Sequence, residues 1–591
     1  MMYTIQKTFF LLLLAFFSFQ LAAQNAISTV DTAVVHQRHA KALLGVTFDS
    51  RTGMMGNVDP VGYFDSAGNL LSDLDTKFAD FPINGIRYPG NAMMVGFQWQ
   101  KAIGPGPRPN QNILGPLGPT QPMDFGFDEF MAYVEGKGLT GEDVQIMVGI
   151  YDTLVTYDSV EQNRQRIPFP AKSAADWVEY ANGPADGTNW GGGIDWAAKR
   201  DSNGHYAPYG IRTWNIGNEP WTDNEFNQDT AGYWQLVKPI VDSMIARDPS
   251  IHITLPTLGA ANSAWNKMSR RLVRQQVPIY GVSPHFFQPG TNLTAVENQL
   301  KSLLDSARVV GLKVILGDFS HAITNVNAPN IQSAMAWKGA SFTTDALLLL
   351  SQLDEIERAN HWTFGNVQAV WRPVRLNSPG NYTVMPVAEM YKILTPYFLP
   401  NVVDVVTTSP PAFDGVPYSL RASAFANAAK DTVCLVAINR DTVNTLNYAV
   451  NGLSGYTLID STRLYAANQV AEDILSAPVS RNGNGEFILP PATILLLRYA
   501  ILVPIAADEG LMPWTLRLQP NPANGRVKLV FGQFLEDVSV EVVDLLGRVA
   551  SVRTQVSGAG YELGIEELAQ GNYLVRVTDD GLAKTARLVV Q

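Results

Sequence analysis

Between residues 43 and 370 the chain repeats one pattern eight times: a short apolar, often β-branched run followed by a longer amphipathic stretch. The runs are LLGVTF, INGIRYPG, VQIMVGI, IRTWNI, IHITLPTL, PIYGVSPHFF, LKVILGDF and NHWTF. Segments such as SAADWVEYANG from Ser173 and TAGYWQLVKPIVDSMIARD from Thr230 keep helical spacing between them. Such alternation calls for a parallel sheet wrapped by helices, and eight units predict an α/β fold of the (β/α)8 barrel type. The competing open sheet would show a glycine-rich phosphate loop after a strand, and no run here is followed by one.

Beyond about Ser409 the pattern changes to short strands punctuated by Asn, Gly and Pro, as in YSLRASAFANA, TVCLVAINR and GEFILPPATILLLRY. This predicts an all-β sandwich appended to the barrel. AILVPIAADEGLMPW then leads to a small C-terminal β-sandwich domain from about Leu516. At the other end, Lys7 precedes an apolar run from Phe9 to Phe19 and small residues at Ala22 and Ala23, the layout of a secretory signal peptide. The expected organisation is a signal peptide over 1–23, a barrel over 24–400, a sandwich over 401–500, a linker over 501–514 and a last domain over 515–591. The leader's apolar run is too short to span a bilayer and no second one follows, so no transmembrane segment is expected in the mature chain.

A single cysteine, Cys434, rules out a framework of disulfides and reads as a small core residue. The formal net charge of -11 disfavours nucleic acid as a partner and suits a neutral polymer such as a polysaccharide or oligosaccharide.

Barrel active sites lie at the C-terminal ends of the strands. The polar residues expected there are Asp49, Arg87, Asn218, Glu219, His285, Asp318 and His321, with Trp362 ending the last run. Glycoside hydrolysis needs two carboxyl groups facing each other across a sugar. Glu219 is the first candidate, and a partner three βα units on would fall roughly 94 residues later. Asp318 lies near that point, while Asp305, Asp345, Asp354, Glu355 and Glu357 fall in helix-like segments. Asn218 can bond a sugar hydroxyl, and Trp214 and Trp221 offer apolar surface that packs on a ring or raises a carboxyl pKa. Plainer readings stand beside these: Glu219 as a structural hydrogen-bonding group, Asp318 as a strand-end cap, His285 as a core histidine, Arg87 as the partner of a buried acid, and Trp362 as barrel packing. No HExxH, clustered cysteines, GxxxxGK[ST] or GxSxG occurs, so neither a metal nor another cofactor is expected.

IRYPGNAMMVGFQWQKAIGP from Ile86, AADWVEYANGPADG from Ala174, NGHYAPYGIRTWNIGNE from Asn203 and VSPHFF from Val282 resemble a clan A glycoside hydrolase, most closely the α-L-arabinofuranosidases of glycoside hydrolase family 51. The resemblance implies Glu219 as general acid/base, Asn218 on the 2-hydroxyl, Arg87 and His285 lining the sugar subsite, and the residue after strand 7 as nucleophile of a retaining displacement. The family's nucleophile is a glutamate, whereas LGDFSHA offers Asp318, about 1 Å shorter in reach. LQPNPANGRVKL from Leu518, VEVVDLLGRVA from Val540 and QGNYLVRV from Gln570 resemble the C-terminal sorting domain of the type IX secretion system. That implies export through periplasm and outer membrane by the type IX machinery, to a secreted or cell-surface location. The expectation is thus an exported glycosidase acting on plant or algal polysaccharides; the rival is a non-catalytic carbohydrate-binding protein on a degenerate hydrolase barrel. A carboxyl separation of about 5–9 Å across one cleft separates the two.

Overall fold

The structure, a computed structural model, describes residues 24–48, 76–77, 81–90, 97–111, 123, 125–158, 163–222, 226, 229–288, 293–321, 335–353, 355–364, 374–378, 381–413, 415–501, 516–531, 538–544, 549–550, 553–557, 560–579 and 582–591. The expected signal peptide, Asp49 and most of the expected linker lie outside these residues.

Eight parallel strands close a barrel in sequence order: Gly45–Phe48, Ile86–Tyr88, Val144–Val148, Thr213–Ile216, His252–Thr257, Gly281–Gln288, Lys313–His321 and Ile356–Phe364. Each corresponds to one of the eight apolar runs. The third is buried at all five positions, as expected of a strand with helices on one side and barrel interior on the other. Helix Ala171–Asn182 packs its Trp177 flat on Trp99, ring centroids 5.7 Å apart, and helix Thr230–Arg247 is started by Asp229, whose carboxylate accepts the Gly232 N–H.

The interior of the barrel is polar at mid-height. Asn360 on strand 8 donates to Gln145 on strand 3 at 3.3 Å, Gln145 to Thr254 on strand 5 at 3.5 Å, and Thr254 to Asn215 on strand 4 at 3.0 Å. Asn215 ends the chain by donating to the carbonyl of Gly217 at 2.7 Å. All four side chains are fully buried, where unpaired amides would be costly. Gly45 is required opposite them, because a Cβ there would stand 2.6 Å from Asn360 Oδ1 and 2.7 Å from the Ala359 carbonyl.

The second layer is a curled mixed sheet of nine strands. It departs from the expected boundaries in one respect: Gln24–Arg38, counted in the sequence with the barrel, belongs to this sheet. It pairs antiparallel with Asn401–Thr408 and parallel with Leu446–Asn451. Its inward alternation of Ala26, Ser28 and Val30 marks it as a half-buried strand, unlike barrel strands such as Val144–Val148 and Thr213–Ile216, which are buried at every position. Cys434 lies buried in the same sheet, as expected. At the junction with the barrel, Asp345 of helix Trp337–Ser351 accepts Arg421 Nε at 2.5 Å and Arg440 Nε at 2.9 Å.

Residues 501–591 form a separate unit of two four-stranded sheets around their own core, which includes Val527, Leu563, Val575 and Leu588. No helix among the described residues is long and apolar enough to cross a membrane.

Candidate active site

Strand 4 ends at Ile216 and the chain turns at once: Gly217 takes φ 82° and Glu219 φ 46°. A non-glycine residue in the left-handed region is strained, and such strain persists where the surroundings enforce it. The buried bond from Asn215 to the Gly217 carbonyl is one such constraint. Asn218 and Glu219 are thereby turned toward strands 2, 6 and 7.

Arg87, fully buried on strand 2, holds two of these elements together. Its Nη1 donates to Asp318 Oδ2 at 3.0 Å and its Nη2 to Asn218 Oδ1 at 2.6 Å. Thr47 on strand 1 donates its hydroxyl to the other Asp318 oxygen. Parallel pairing sets Asp318 beside His285, and His285 Nδ1 lies 2.8 Å from Glu219 Oε1 and 3.6 Å from Asp318 Oδ2. The two carboxyl oxygens are therefore at most about 6.4 Å apart. Gly317 makes room for the imidazole, since a Cβ there would stand 2.5 Å from His285 Nε2. Trp221 packs edge-on to His285 with centroids 6.3 Å apart. The side chains differ in exposure, 28% for Glu219 against 2% for Asp318, so Glu219 is the more open of the two acids.

Burial pushes the Glu219 carboxyl up, but the hydrogen bond and charge of His285, with the charge of Arg87, outweigh it and hold the group below the usual glutamate range. Burial also pushes Asp318 up; there it prevails over Arg87, His285 and Thr47, with Glu219 adding to the rise. The environments thus move the two acids in opposite directions, the glutamate down and the aspartate up.

Of the residues expected from sequence, Arg87, Asn218, Glu219, His285 and Asp318 come together. Trp214 does not join them: it is fully buried, meets Trp177 edge-on at 5.8 Å and donates to the Ile211 carbonyl at 3.1 Å. Strand alternation sends it outward, into the helix layer, while its neighbour Asn215 points in. His321 also faces a helix, its ring edge-on to Phe342 at 5.4 Å. Trp362 shares the inward parity of Asn360 and is buried. Glu357, expected in a helix, lies near the start of strand 8, at the opposite end of the barrel. Thr47 and Asn215 were missed in the sequence; Thr47 is the single polar residue of LLGVTF and Asn215 shares IRTWNI with Arg212 and Thr213, and a polar residue within a strand run was the signal available.

Asn215→Leu is expected to leave the Gly217 carbonyl without its amide partner at a cost of about 1–3 kcal/mol. Loss of the turn's support should also lower turnover, since a displacement of about 1 Å costs roughly a hundredfold. Melting temperature and kcat measured on the same preparation check both effects; a stable variant with unchanged kcat would remove Asn215 from the positioning of Glu219.

Comparison with known proteins assigns two segments of the chain. Residues 70–297 match the model of the alpha-L-arabinofuranosidase 1 domain, and residues 517–591 that of the secretion system C-terminal sorting domain. The chain thus combines a segment similar to the alpha-L-arabinofuranosidase 1 domain with a C-terminal sorting domain, which implies export by type IX secretion to the cell surface or outside. Among relatives, it is 30% identical over 176 residues to a probable alpha-L-arabinofuranosidase C of Aspergillus clavatus, covering 30% of each chain. It is 26% identical over 194 residues to the intracellular exo-alpha-(1->5)-L-arabinofuranosidase 1 of Bacillus subtilis, covering 32% of this chain and 33% of the relative. The matched stretch therefore spans about a third of these relatives' length. In fold, the chain is similar to the alpha-L-arabinofuranosidase of Thermotoga maritima solved with arabinose, with TM-score 0.63, 19% identity, 80% of this chain and 99% of that one covered. A family 51 alpha-L-arabinofuranosidase of Bifidobacterium longum gives TM-score 0.63 at 16% identity, covering 81% of this chain and 100% of the other.

Proposed function

We propose that the chain is an exported glycoside hydrolase that removes α-L-arabinofuranosyl groups from plant or algal polysaccharides by a retaining double displacement. Glu219 protonates the glycosidic oxygen while an Asp318 oxygen forms an ester to the anomeric carbon and the leaving alcohol departs. Glu219, now ionised, takes a proton from water, which adds to the anomeric carbon and releases Asp318. Asn218 and Arg87 line the subsite, with Arg87 also orienting the nucleophile. The observation that carries this reading is that one oxygen of Glu219 and one of Asp318 meet at the same imidazole, that pair of oxygens at most about 6.4 Å apart. That arrangement accommodates the ~5–5.5 Å carboxyl separation of retaining pairs.

The test is hydrolysis of a panel of 4-nitrophenyl glycosides and of arabinose- or xylose-containing polymers by the purified chain, with Glu219→Ala as control. Release from arabinofuranosides that disappears in the control supports the proposal, whereas silence across the panel with glycan binding intact supports a binding protein. One observation favours that second reading: Asp318 is almost sealed from solvent with both oxygens engaged.

A pH profile probes the roles further. Double displacement needs the proton on Glu219 and none on Asp318 at the moment of attack, and the hydrogen bond and charge of His285 lower Glu219 while its charge lowers Asp318. Removing His285 raises both carboxyls. The surroundings move Glu219 down and Asp318 up, against the proton distribution that attack needs, so each limb belongs to the coupled pair and not to one acid, and both limbs should move to higher pH in His285→Gln. An unmoved kcat/KM profile would show that His285 does not tune the reacting acids.

A further inference from the structure

The far mouth of the barrel, at the N-terminal ends of the strands, holds a cavity of about 710 Å³ opposite the end that carries Glu219 and Asp318. That volume lies within the ~300–1,000 Å³ of small-molecule sites. Its wall is built from residues at strand starts, among them Arg212 before strand 4, His252 opening strand 5, Lys313 opening strand 7 and Arg358 near the start of strand 8. Lys41 joins them from the short helix before strand 1.

Three carboxylates also face the cavity, and each is engaged. Glu142 pairs with Arg212 at 3.4 Å; Glu357 accepts the Tyr280 hydroxyl at 2.6 Å and pairs with Lys313 at 3.2 Å; Asp143 accepts the Thr140 N–H at 2.9 Å. The cations are not matched in the same way. Lys41 has no acidic partner among the described residues. Arg358 spends one nitrogen on the Glu142 carbonyl, and its buried Nη1 has no hydrogen-bond partner there. Burial draws that guanidinium below its ordinary pKa, against the charges of Asp143, Glu357 and Tyr280. A buried guanidinium nitrogen without a hydrogen-bond partner costs stability, and an anion in the cavity would supply one. His252 adds a flat surface, stacked on Tyr280 with centroids 3.7 Å apart and planes 2° off parallel. At the rim, His39 is held at φ 110°, a conformation that side-chain-bearing residues rarely take.

We infer that this cavity is a second binding site, for a compact oxyanion bearing carboxylate or phosphate groups, seated between Lys41 and Arg358 on the His252 surface. It does not depend on the hydrolytic reading, because it shares no residue with the carboxylate pair. The experiment is calorimetric titration of the full chain with inorganic phosphate and, separately, with galacturonate, each to about 10 mM, at low and at high salt. Expected is saturable binding of at least one, weakened by added salt and about tenfold in Lys41→Gln and Arg358→Gln. Binding of phosphate alone points to a phosphorylated ligand, and of galacturonate alone to an acidic sugar. If Arg358→Gln fails to fold, Lys41→Gln carries the test. Heats that do not saturate with either probe, or equal affinity in Lys41→Gln, overturn the proposal.

Discussion

Glu219→Gln is expected to lower kcat on substrates with poor leaving groups about 10²–10⁴-fold, the range that positioned proton transfer supplies. Substrates whose leaving groups depart without a proton should lose much less. The amide can still bond to His285 Nδ1, so the melting temperature should change little and substrate binding should survive. Steady-state kinetics over a series of aryl leaving groups measures the difference. Adding azide sharpens it: if Glu219 is the acid/base and Asp318 the nucleophile, azide attacks the ester in Glu219→Ala and gives a glycosyl azide of retained configuration. A Glu219→Gln enzyme with full activity on polymeric substrate would remove Glu219 from the chemistry.

Asp318→Asn should lose hydrolysis and stability together. Arg87 is fully buried and Asp318 nearly so, and neutralising one member of a buried pair costs about 3–5 kcal/mol because the other charge is left without its counterpart. Combining Asp318→Asn with Arg87→Met should return part of that stability without returning any turnover. The combination separates the pair's structural role from its chemical one, which the single variant cannot do. An active Asp318→Asn enzyme would sink the double displacement and turn attention to Glu219 acting alone on water. Asp318→Glu is a weaker probe, since Thr47 and Arg87 already contact both oxygens and an added methylene in so tight a site costs about 1–3 kcal/mol.

The barrel was legible because its strands are continuous apolar runs, and eight of them in one rhythm admit few other folds. The carboxylate pair was legible for a related reason: once the strands are placed, position along the chain decides which end of the barrel a side chain occupies. Orientation was harder to read. Trp214 sits four residues before Asn218 and was grouped with it, but the alternation within a four-residue strand sends it to the helices. His321, three residues beyond Asp318, turned away for the same reason. Partnerships between distant strands were beyond reach: nothing in LLGVTF announces that Thr47 will donate to an acid 271 positions later. Nor did composition reveal that the first strand belongs with the last sheet, because pairing register is a property of two segments at once.

That first strand has a consequence for how the protein is made. Gln24–Arg38 is bordered on one side by Asn401–Thr408 and on the other by Leu446–Asn451. The earliest strand described thus finds its neighbours only after the whole barrel sequence has been synthesised, and its pairing closes a loop of several hundred residues. Loop-closure entropy grows only slowly with length, so the cost in stability is modest, whereas the cost in folding rate is larger. The seam that joins Gln24–Arg38 to its two neighbours is therefore also among the last parts of the sheet that can close.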